Sequence, residues 1–397
     1  MKGRSSEQMR FLDVVITHMS DITDVRSAAR IFFPLEEILF LVYCSSACSI
    51  ESYDEIHDFG EERIDWLRKY LPYENGIPSH DTINRVMSLL KTEELEYMFA
   101  KLSNHDIALE DGSLVHIDGK WLGRSATVKQ QQTKKSQGGK QAKIMVNVYH
   151  GQNKLCMAST EVDDKSGEVD AIDSILALLD LSGCMVTMDA GYCYQDVVEK
   201  LREEDIDYLI GLKRNQPTLF DLVQKYMDED EVQSQSKEEN QGHGRQETRV
   251  CKVLDVKKLS NRLTPEEASV LSNWKDIASL VCIDSSVINT LKETAHQERR
   301  YYISSKTLEA AEASNIVRSH WAIENGLHWV LDVVMGEDSS TKRKDRAAQN
   351  FSFFRKLGLN KLQAWSGGNP KQKISVKRKQ NKCMMNTKAL QDVLGLL

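Results

Sequence analysis

Two acidic residues stand where a protein could gather carboxylates for metal-dependent chemistry. Asp118 closes the apolar run at residues 113–118, and Asp189 closes the run at residues 184–189. Both runs predict β-strands. A lone Asp at a strand end is commonly a turn or helix cap. Two carboxylates at one sheet edge repel each other, however, and a hard divalent cation with oxygen ligands relieves that repulsion.

A third acid, Glu324, lies in a polar stripe on a predicted helix. His320, Glu324, His328 and Asp332 recur every four residues, so they share one helix face, and two tryptophans flank them. A solvated face would normally carry Lys and Glu, so the stripe favours a site. A zinc hydrolase using His320, Glu324 and His328 stays open, although a carboxylate pair suits Mg²⁺ better than zinc.

The elements that would position these acids lie between residues 113 and 212. Short apolar runs and helical stretches follow the order β-β-β-α-β-α-β. This is the order of a ribonuclease H-like core, a mixed sheet with helices on both faces. In that arrangement the strands of Asp118 and Asp189 are neighbours, about 5 Å apart.

Helical and strand patterns also appear outside this core. Ser79 or Asp81 is a plausible N-cap, and Gly326 is a possible kink in a helix at residues 307–333. Helices are predicted in the N-terminal part at residues 35–49, 53–70 and 82–102, and near the C-terminus at residues 347–363. Strands are predicted after an acidic polar stretch (residues 228–240) at residues 245–256, 278–284 and 299–304.

The patterns predict an α/β protein with a ribonuclease H-like mixed sheet core, a β-rich insertion and an N-terminal helical domain. The predicted segments are 1–105 for the helical domain, 106–227 for the first part of the core, 228–302 for the insertion, 303–365 for the second part with the Glu324 helix, and 366–397 for a basic C-terminal tail.

Composition narrows the class of protein. The chain has 397 residues, of which 41% are hydrophobic and 28% charged, as in ordinary globular proteins and unlike fibrous or disordered ones. The longest apolar stretch, residues 38–50, is shorter than the roughly 20 residues of a membrane helix. No secretory signal pattern is present at the start, so we expect a cytoplasmic or nucleoid location and no membrane partner.

The charge is unevenly distributed along the chain. The net charge is −7, yet residues 340–388 contain fourteen Lys and Arg against one acid, Asp345, which leaves +13 there and −20 elsewhere. A lysine-rich end can be a merely solvated tail. An asymmetry of this size favours a polyanion that binds near the C-terminal end.

Six strings spread over most of the chain occur in one order. They are residues 76–82 (GIPSHDT), 117–120 (IDGK), 212–219 (LKRNQPTL), 242–245 (GHGR) with Glu247 and Arg249, 298–305 (ERRYYISS), and the helix at 318–332. In these strings the chain resembles a transposase of the H-repeat-associated group of bacterial insertion sequences, within the DDE transposase superfamily.

The resemblance implies that Asp118, Asp189 and Glu324 are the catalytic acids and hold two Mg²⁺ or Mn²⁺ ions for phosphodiester hydrolysis and strand transfer. It implies double-stranded DNA as the partner, both as terminal inverted repeats and as target DNA, with a homodimer or larger assembly on DNA. The residues we expect to contact DNA are Lys120, Lys213, Arg214, His243, Arg245, Arg318, His320 and His328.

The strings that follow two of the acids depart from the family pattern. Residues 121–125 read WLGRS, where the family usually has a small residue and then LRGS. Residues 189–195 read DAGYCYQ, one residue longer than usual. Both acids are retained. These departures leave open a domesticated or inactive derivative that binds DNA without cutting it.

Overall fold

The computed structural model describes residues 11–105, 107–123, 143–162, 167–228, 234–242, 245–289, 294–340, 342, 344–367 and 373–396. The helices are α1 (Phe11–Ser20), α2 (Leu35–Ser46), α3 (Tyr53–Glu62), α4 (Ile64–Leu67), α5 (His80–Leu89), α6 (Thr92–Asn104), α7 (Gly167–Leu178), α8 (Gln195–Glu203), α9 (Pro217–Asp228), α10 (Val256–Leu259), α11 (Pro265–Ser272), α12 (Ala310–Ile323), α13 (Ala347–Ala364), α14 (Val376–Met385) and α15 (Thr387–Leu394). The strands are β1 (Leu114–Trp121), β2 (Ile144–His150), β3 (Leu155–Val162), β4 (Met185–Met188), β5 (Asp207–Leu212), β6 (Ser234–Gly242), β7 (Arg245–Asp255), β8 (Ser279–Asn289) and β9 (Thr294–Ser304).

One mixed sheet joins the strands of the described residues in the order β3-β2-β1-β4-β5-β9-β8-β7-β6. β2 pairs with β1 and with β3 in antiparallel register, whereas β4 pairs with β1 and with β5 in parallel register. This arrangement confirms the ribonuclease H-like core. The predicted β-rich insertion is also confirmed, but it extends the core sheet, because β9 pairs with β5 in antiparallel register.

Successive side chains of each strand point to opposite faces of the sheet. On β1, Val115 and Ile117 pack into an apolar cluster with α7, α8, α9 and α11. His116, Asp118 and Lys120 therefore point to the opposite face. That face is covered by α12, through a second cluster, and by the N-terminal helices. The predicted cover of helices on both faces is present.

The N-terminal helices share their hydrophobic core with helices from the far end of the chain. Phe353 and Phe354 of α13 are fully buried in the same cluster as α2, α5 and α6. α13 was predicted as part of the core domain. Its apolar residues instead pack mainly on the helical domain, because a helix rich in buried Phe and Leu needs a surface larger than the edge of one sheet.

The prediction that residues 366–397 form a basic tail is wrong. α14 and α15 fold back onto the N-terminal helices, where Leu390 and Leu394 are fully buried. The Tyr43 hydroxyl donates to the Leu394 carbonyl at 3.1 Å. The physical reason is that the apolar residues of α15 recur at helical spacing, and their burial outweighs the repulsion between nearby lysines.

Smaller differences concern where elements begin and end. The predicted N-cap Ser79 accepts a hydrogen bond from the Thr82 amide. The single helix predicted at residues 82–102 is two helices, α5 and α6, because Leu90 has an extended backbone with ψ of 145°. Across the described ranges, no helix is both long and apolar enough to cross a membrane.

Candidate active site

The three predicted acids line one cavity between the sheet and α12. The parallel ladder pairs Ile117 with Met188, so Asp118 and Asp189 are the next residues on neighbouring segments. Glu324, directly after α12, borders the same cavity of about 330 Å³. Asp118 was predicted to end its strand. β1 instead continues to Trp121, because its ladder with β2 runs on after the ladder with β4 has stopped.

Local hydrogen bonds orient the two aspartates. The Gly119 amide donates to Asp118 Oδ1 at 2.9 Å, and the Gly191 amide donates to Asp189 Oδ1 at 2.8 Å. Asp189 thereby also caps a short 3-10 turn. Gly211 of β5 lies against this turn, where a Cβ atom would come within 3.0 Å of the Ala190 nitrogen. The absence of a side chain at Gly211 therefore lets the turn approach the sheet.

Glu324 begins a widened, π-helical segment that continues α12. This segment (Glu324–His328) is followed by a second one (Val330–Val334). The predicted kink at Gly326 therefore takes the form of π-helical turns, which occur frequently at functional sites. A Cβ at Gly326 would lie 2.5 Å from the Tyr149 hydroxyl, so glycine permits the helix to cross β2 closely.

The histidines of the stripe turn toward the sheet rather than toward solvent. His320 Nδ1 lies 2.7 Å from the Thr187 hydroxyl, and His328 Nδ1 lies 3.7 Å from Asp118 Oδ2. Burial lowers the pKa of His320 to about 4 and that of His328 to about 3. Both imidazoles are neutral at pH 7, so they can contact DNA only as hydrogen-bonding groups and not as cations.

Lys120 is placed differently from our expectation of a DNA contact. Its side chain is 6% exposed, and its ammonium lies 2.5 Å from Asp332 Oδ1 and 3.0 Å from Glu337 Oε2. The partners reach Lys120 from the helix that carries Glu324 and from the loop after it. Lys120 is thus part of a buried ion cluster, and we assign it a structural role instead.

The remaining basic residues of the prediction lie in several environments. Lys213 is exposed and borders the cavity. Arg214 is exposed and pairs with Asp221 at 3.2 Å. Arg318 pairs with a carboxylate of β6, and Arg245 is exposed at the start of β7. His243 lies outside the described residues.

Sequence reasoning missed the second wall of the cavity. Arg299, Arg300 and Tyr302 line it from β9, which pairs with β5 next to Lys213. Arg300 holds Glu298 through two hydrogen bonds of 2.8 Å and lies 5.2 Å from the centre of the Trp321 ring. The string at residues 298–305 marked this segment, but only the long-range strand pairing brings it to the acids.

The donor atoms around the cavity suit a hard divalent cation, because the acids supply carboxylate oxygens. Among the described residues, no three His, Cys, Asp or Glu side chains are arranged to hold a metal ion. The acids therefore share a cavity without forming a closed ligand sphere. The zinc alternative is weakened, since His320 is engaged by Thr187 and His328 by Asn147 and Asp118.

Comparison with known families covers most of the chain. The family described as DDE_Tnp_1-associated matches residues 16–102, and the Transposase DDE domain family matches residues 105–361. The second match contains all three acids of the cavity, and together the two matches include the helical domain, the core sheet and the insertion.

Similar proteins span nearly the same length. An Escherichia coli O157:H7 protein named "Putative transposase YncI" is 34% identical over 96% of this chain and 94% of its own. An Escherichia coli K12 protein named "H repeat-associated putative transposase YhhI" is 32% identical over 97% of this chain and 98% of its own. A piggyBac transposase synaptic complex with hairpin DNA aligns with a TM-score of 0.44 at 8% identity over 97% of this chain and 78% of that chain, too low to support an argument. The family matches and the near full-length relatives show that this chain belongs to the DDE transposases, and they confirm its resemblance to the H-repeat-associated group.

Proposed function

We propose that this transposase cuts and joins the ends of an insertion sequence at the cavity between the sheet and α12. The observation that carries the proposal is that Asp118, Asp189 and Glu324, far apart in sequence, border one cavity with a basic wall. The two aspartates follow paired positions of parallel strands, so the sheet itself holds them side by side.

These three acids would hold the divalent ions, which we propose are two Mg²⁺ or Mn²⁺. Bound in this way, such ions activate the attacking hydroxyl and stabilise the departing oxygen of a phosphodiester. The protein fixes the carboxylates through backbone donors, since Gly119 and Gly191 each occupy one carboxylate oxygen.

Basic side chains at the rim would position the DNA backbone. Lys213 is exposed at the cavity and follows the last parallel strand. Arg299 and Arg300 border the cavity from the neighbouring strand β9, but each is partly neutralised by a carboxylate, at Asp284 and Glu298 respectively. We therefore propose that Lys213 makes the main phosphate contact near the scissile bond, with support from the arginines.

The partners follow from this chemistry. We propose that the chain binds double-stranded DNA, both the terminal inverted repeats and the target, and that two or more copies assemble when two ends are joined. The place of action would be the bacterial cytoplasm at the nucleoid. These proposals rest on family membership and on the exposed basic residues near the cavity.

Substitution of the acids tests the assignment. Asp118→Asn, Asp189→Asn and Glu324→Gln should each abolish Mg²⁺-dependent strand cleavage while leaving DNA binding nearly intact, because each removes a negative ligand without changing shape. Asp173→Asn on α7, which covers the other face of the sheet, is the matched control and should cleave like the wild type. Cleavage by any of the three variants at the wild-type rate would refute the assignment for that residue.

The alternative is a derivative that binds DNA without cutting it. Its support is the pair of altered strings after Asp118 and Asp189. In the structure the second string forms the 3-10 turn, with Tyr192 and Cys193 fully buried, and the cavity beside it is retained. The altered residues of the second string therefore fit the fold, which favours the active enzyme, whereas Arg124 and Ser125 of the first string lie outside the described residues. Binding of repeat DNA without nicking in Mg²⁺ would instead favour the derivative.

A further inference from the structure

A series of polar side chains, fully buried at its inner end, leads from the interior of the protein toward Asp118. Lys356 Nζ on α13 lies 2.8 Å from Ser159 Oγ on β3, which lies 2.9 Å from Asn147 Oδ1 on β2. Asn147 Nδ2 lies 3.3 Å from His328 Nε2, and His328 Nδ1 lies 3.7 Å from Asp118 Oδ2. Four of these residues belong to four different elements, and His328 lies on a fifth.

The chemistry of these groups determines which atom donates and which accepts in each hydrogen bond of the series. The Lys356 ammonium can only donate, so Ser159 accepts from it and donates its single proton to Asn147 Oδ1. The amide nitrogen of Asn147 must then face His328, an orientation that a second bond to the Met145 carbonyl at 3.0 Å supports. His328 Nε2 therefore accepts, and the ring proton resides on Nδ1, toward Asp118.

We propose that His328 is a positioning residue whose Nδ1 proton orients the Asp118 carboxylate, with Asn147, Ser159 and Lys356 fixing the required tautomer. This inference rests on the proposed role of Asp118 as a metal ligand. The Gly119 amide holds Asp118 Oδ1 and His328 faces Oδ2, so the two donors set the plane of the carboxylate.

The distance of 3.7 Å is longer than a hydrogen bond, so in this structure His328 acts on Asp118 through the N–H dipole. Contacts of this kind tighten when the reacting groups are in place. Donors that orient a metal-binding carboxylate typically affect metal affinity or activity 10- to 100-fold when removed. The role differs from the DNA contact that we first expected for His328.

Two amide substitutions separate orientation from simple filling of the core. In His328→Asn the amide nitrogen takes the place of Nδ1 and keeps the donor toward Asp118. In His328→Gln the amide reaches the place of Nε2 and leaves Asp118 without that donor. If His328 only filled space, the two variants would behave alike.

The first measurement is the Mg²⁺ concentration for half-maximal strand cleavage. We expect it to rise about 10- to 100-fold in His328→Gln and only a few-fold in His328→Asn. The second measurement is Ca²⁺ binding to the full chain by calorimetry, which requires no turnover and should weaken in the same order. Equal metal dependence in the Asn and Gln variants, or unchanged Ca²⁺ affinity in His328→Gln, would overturn the inference.

A variant remote from His328 keeps the test decisive if His328→Gln does not fold. Ser159→Ala removes the hydroxyl that links Lys356 to Asn147 and should raise the half-maximal Mg²⁺ concentration several-fold. Ser88→Ala, which removes the hydroxyl of a buried serine in α5, should not. No difference between the two serine variants contradicts the inference. Asp118→Asn distinguishes failure of the proposed function from failure of this inference. Full activity of Asp118→Asn would refute the proposed function. An inactive Asp118→Asn together with an unaffected His328→Gln would refute only this inference.

Discussion

At the scale of single residues, the face of the sheet that bears Asp118 carries polar side chains whose partners come from distant segments. Lys120 shares this face because it follows Asp118 by two positions on β1. Although burial opposes ionisation, Lys120, Lys356 and Arg355 lower the pKa of Glu337 to about 2. The carboxylate therefore stays charged at pH 7 and binds Lys120 within the interior.

Removal of the Lys120 charge tests this structural role. Lys120→Met should lower the free energy of unfolding by about 3–5 kcal/mol, because it removes the cation that lies 3.0 Å from the buried Glu337 carboxylate. Urea unfolding measures this change. Lys213→Met, at the exposed rim of the same cavity, is the control and should alter stability by no more than about 0.5 kcal/mol while it weakens DNA binding. A stable Lys120→Met protein with weakened DNA binding would restore the original expectation of a DNA contact.

At the scale of elements, sequence patterns predicted best where burial is strong. The predicted core ends with a strand at residue 212, and β5 ends there, because every residue of this strand after the first is buried. β6 was missed, since its residues are polar on both faces and only pairing with β7 makes the segment a strand. The sequence also placed Asp189 just after a strand and Glu324 on a helix, whereas it ended the strand of Asp118 too early. The partners of Lys120 depend on long-range packing that no local pattern encodes.

The contact between α6 and β3 predicts a pH-dependent stability. Burial raises the pKa of Glu96 to about 7, and its carboxylate accepts from the Glu161 amide at 2.9 Å. Between pH 4.5 and 7 the folded protein keeps a proton that the unfolded chain releases, so the free energy of unfolding falls as the pH rises. Above pH 7 the buried Glu96 carboxylate is ionised, and its burial lowers the free energy of unfolding by up to about 3 kcal/mol.

Glu96→Gln should remove this pH dependence, because the amide is neutral and keeps the same hydrogen bonds. At pH 8 the variant should be more stable than the wild type by up to about 3 kcal/mol, and near pH 4 the two should be equal. Urea unfolding at several pH values measures both. Glu203→Gln, an exposed carboxylate on α8, should leave the profile of the wild type. Parallel profiles for wild type and Glu96→Gln would contradict the prediction.

The crossing of α2 and α13 predicts a steric effect. A Cβ at Gly358 would lie 2.5 Å from the Ser46 carbonyl oxygen, and a backbone atom cannot rotate away. Gly358→Ala should therefore lower the free energy of unfolding by about 1–3 kcal/mol, even though alanine favours a helix. Gly242→Ala, where nothing lies within 4 Å of the added atom, is the control for thermal unfolding. A melting temperature for Gly358→Ala equal to that of the control would show that the helices can separate without cost.

At the scale of the whole molecule, the basic C-terminal segment is divided between interior and surface. Arg355, Lys356 and Lys379 are buried, so part of the charge counted in the sequence stabilises the fold instead of attracting a partner. Lys379 Nζ donates to the Leu362 carbonyl at 2.6 Å. Deletion of this segment would therefore remove helices from the core, and substitution of the exposed charges is the sharper way to test DNA binding.

Within the described residues 373–396, four basic side chains are exposed, and they are Lys373, Lys377, Arg378 and Lys388. If they contact phosphates, each releases counterions, so replacing all four with Gln should reduce the slope of log affinity against log salt by up to about 3 to 4. The slope is obtained by measuring the affinity for a DNA duplex at salt concentrations from about 50 mM to about 200 mM. Replacing four exposed lysines elsewhere, Lys257, Lys258, Lys275 and Lys306, with Gln controls for total charge. An unchanged slope in the fourfold variant would place the DNA elsewhere, because surface charge acts on a polyanion only within about a Debye length, roughly 8 Å at physiological salt.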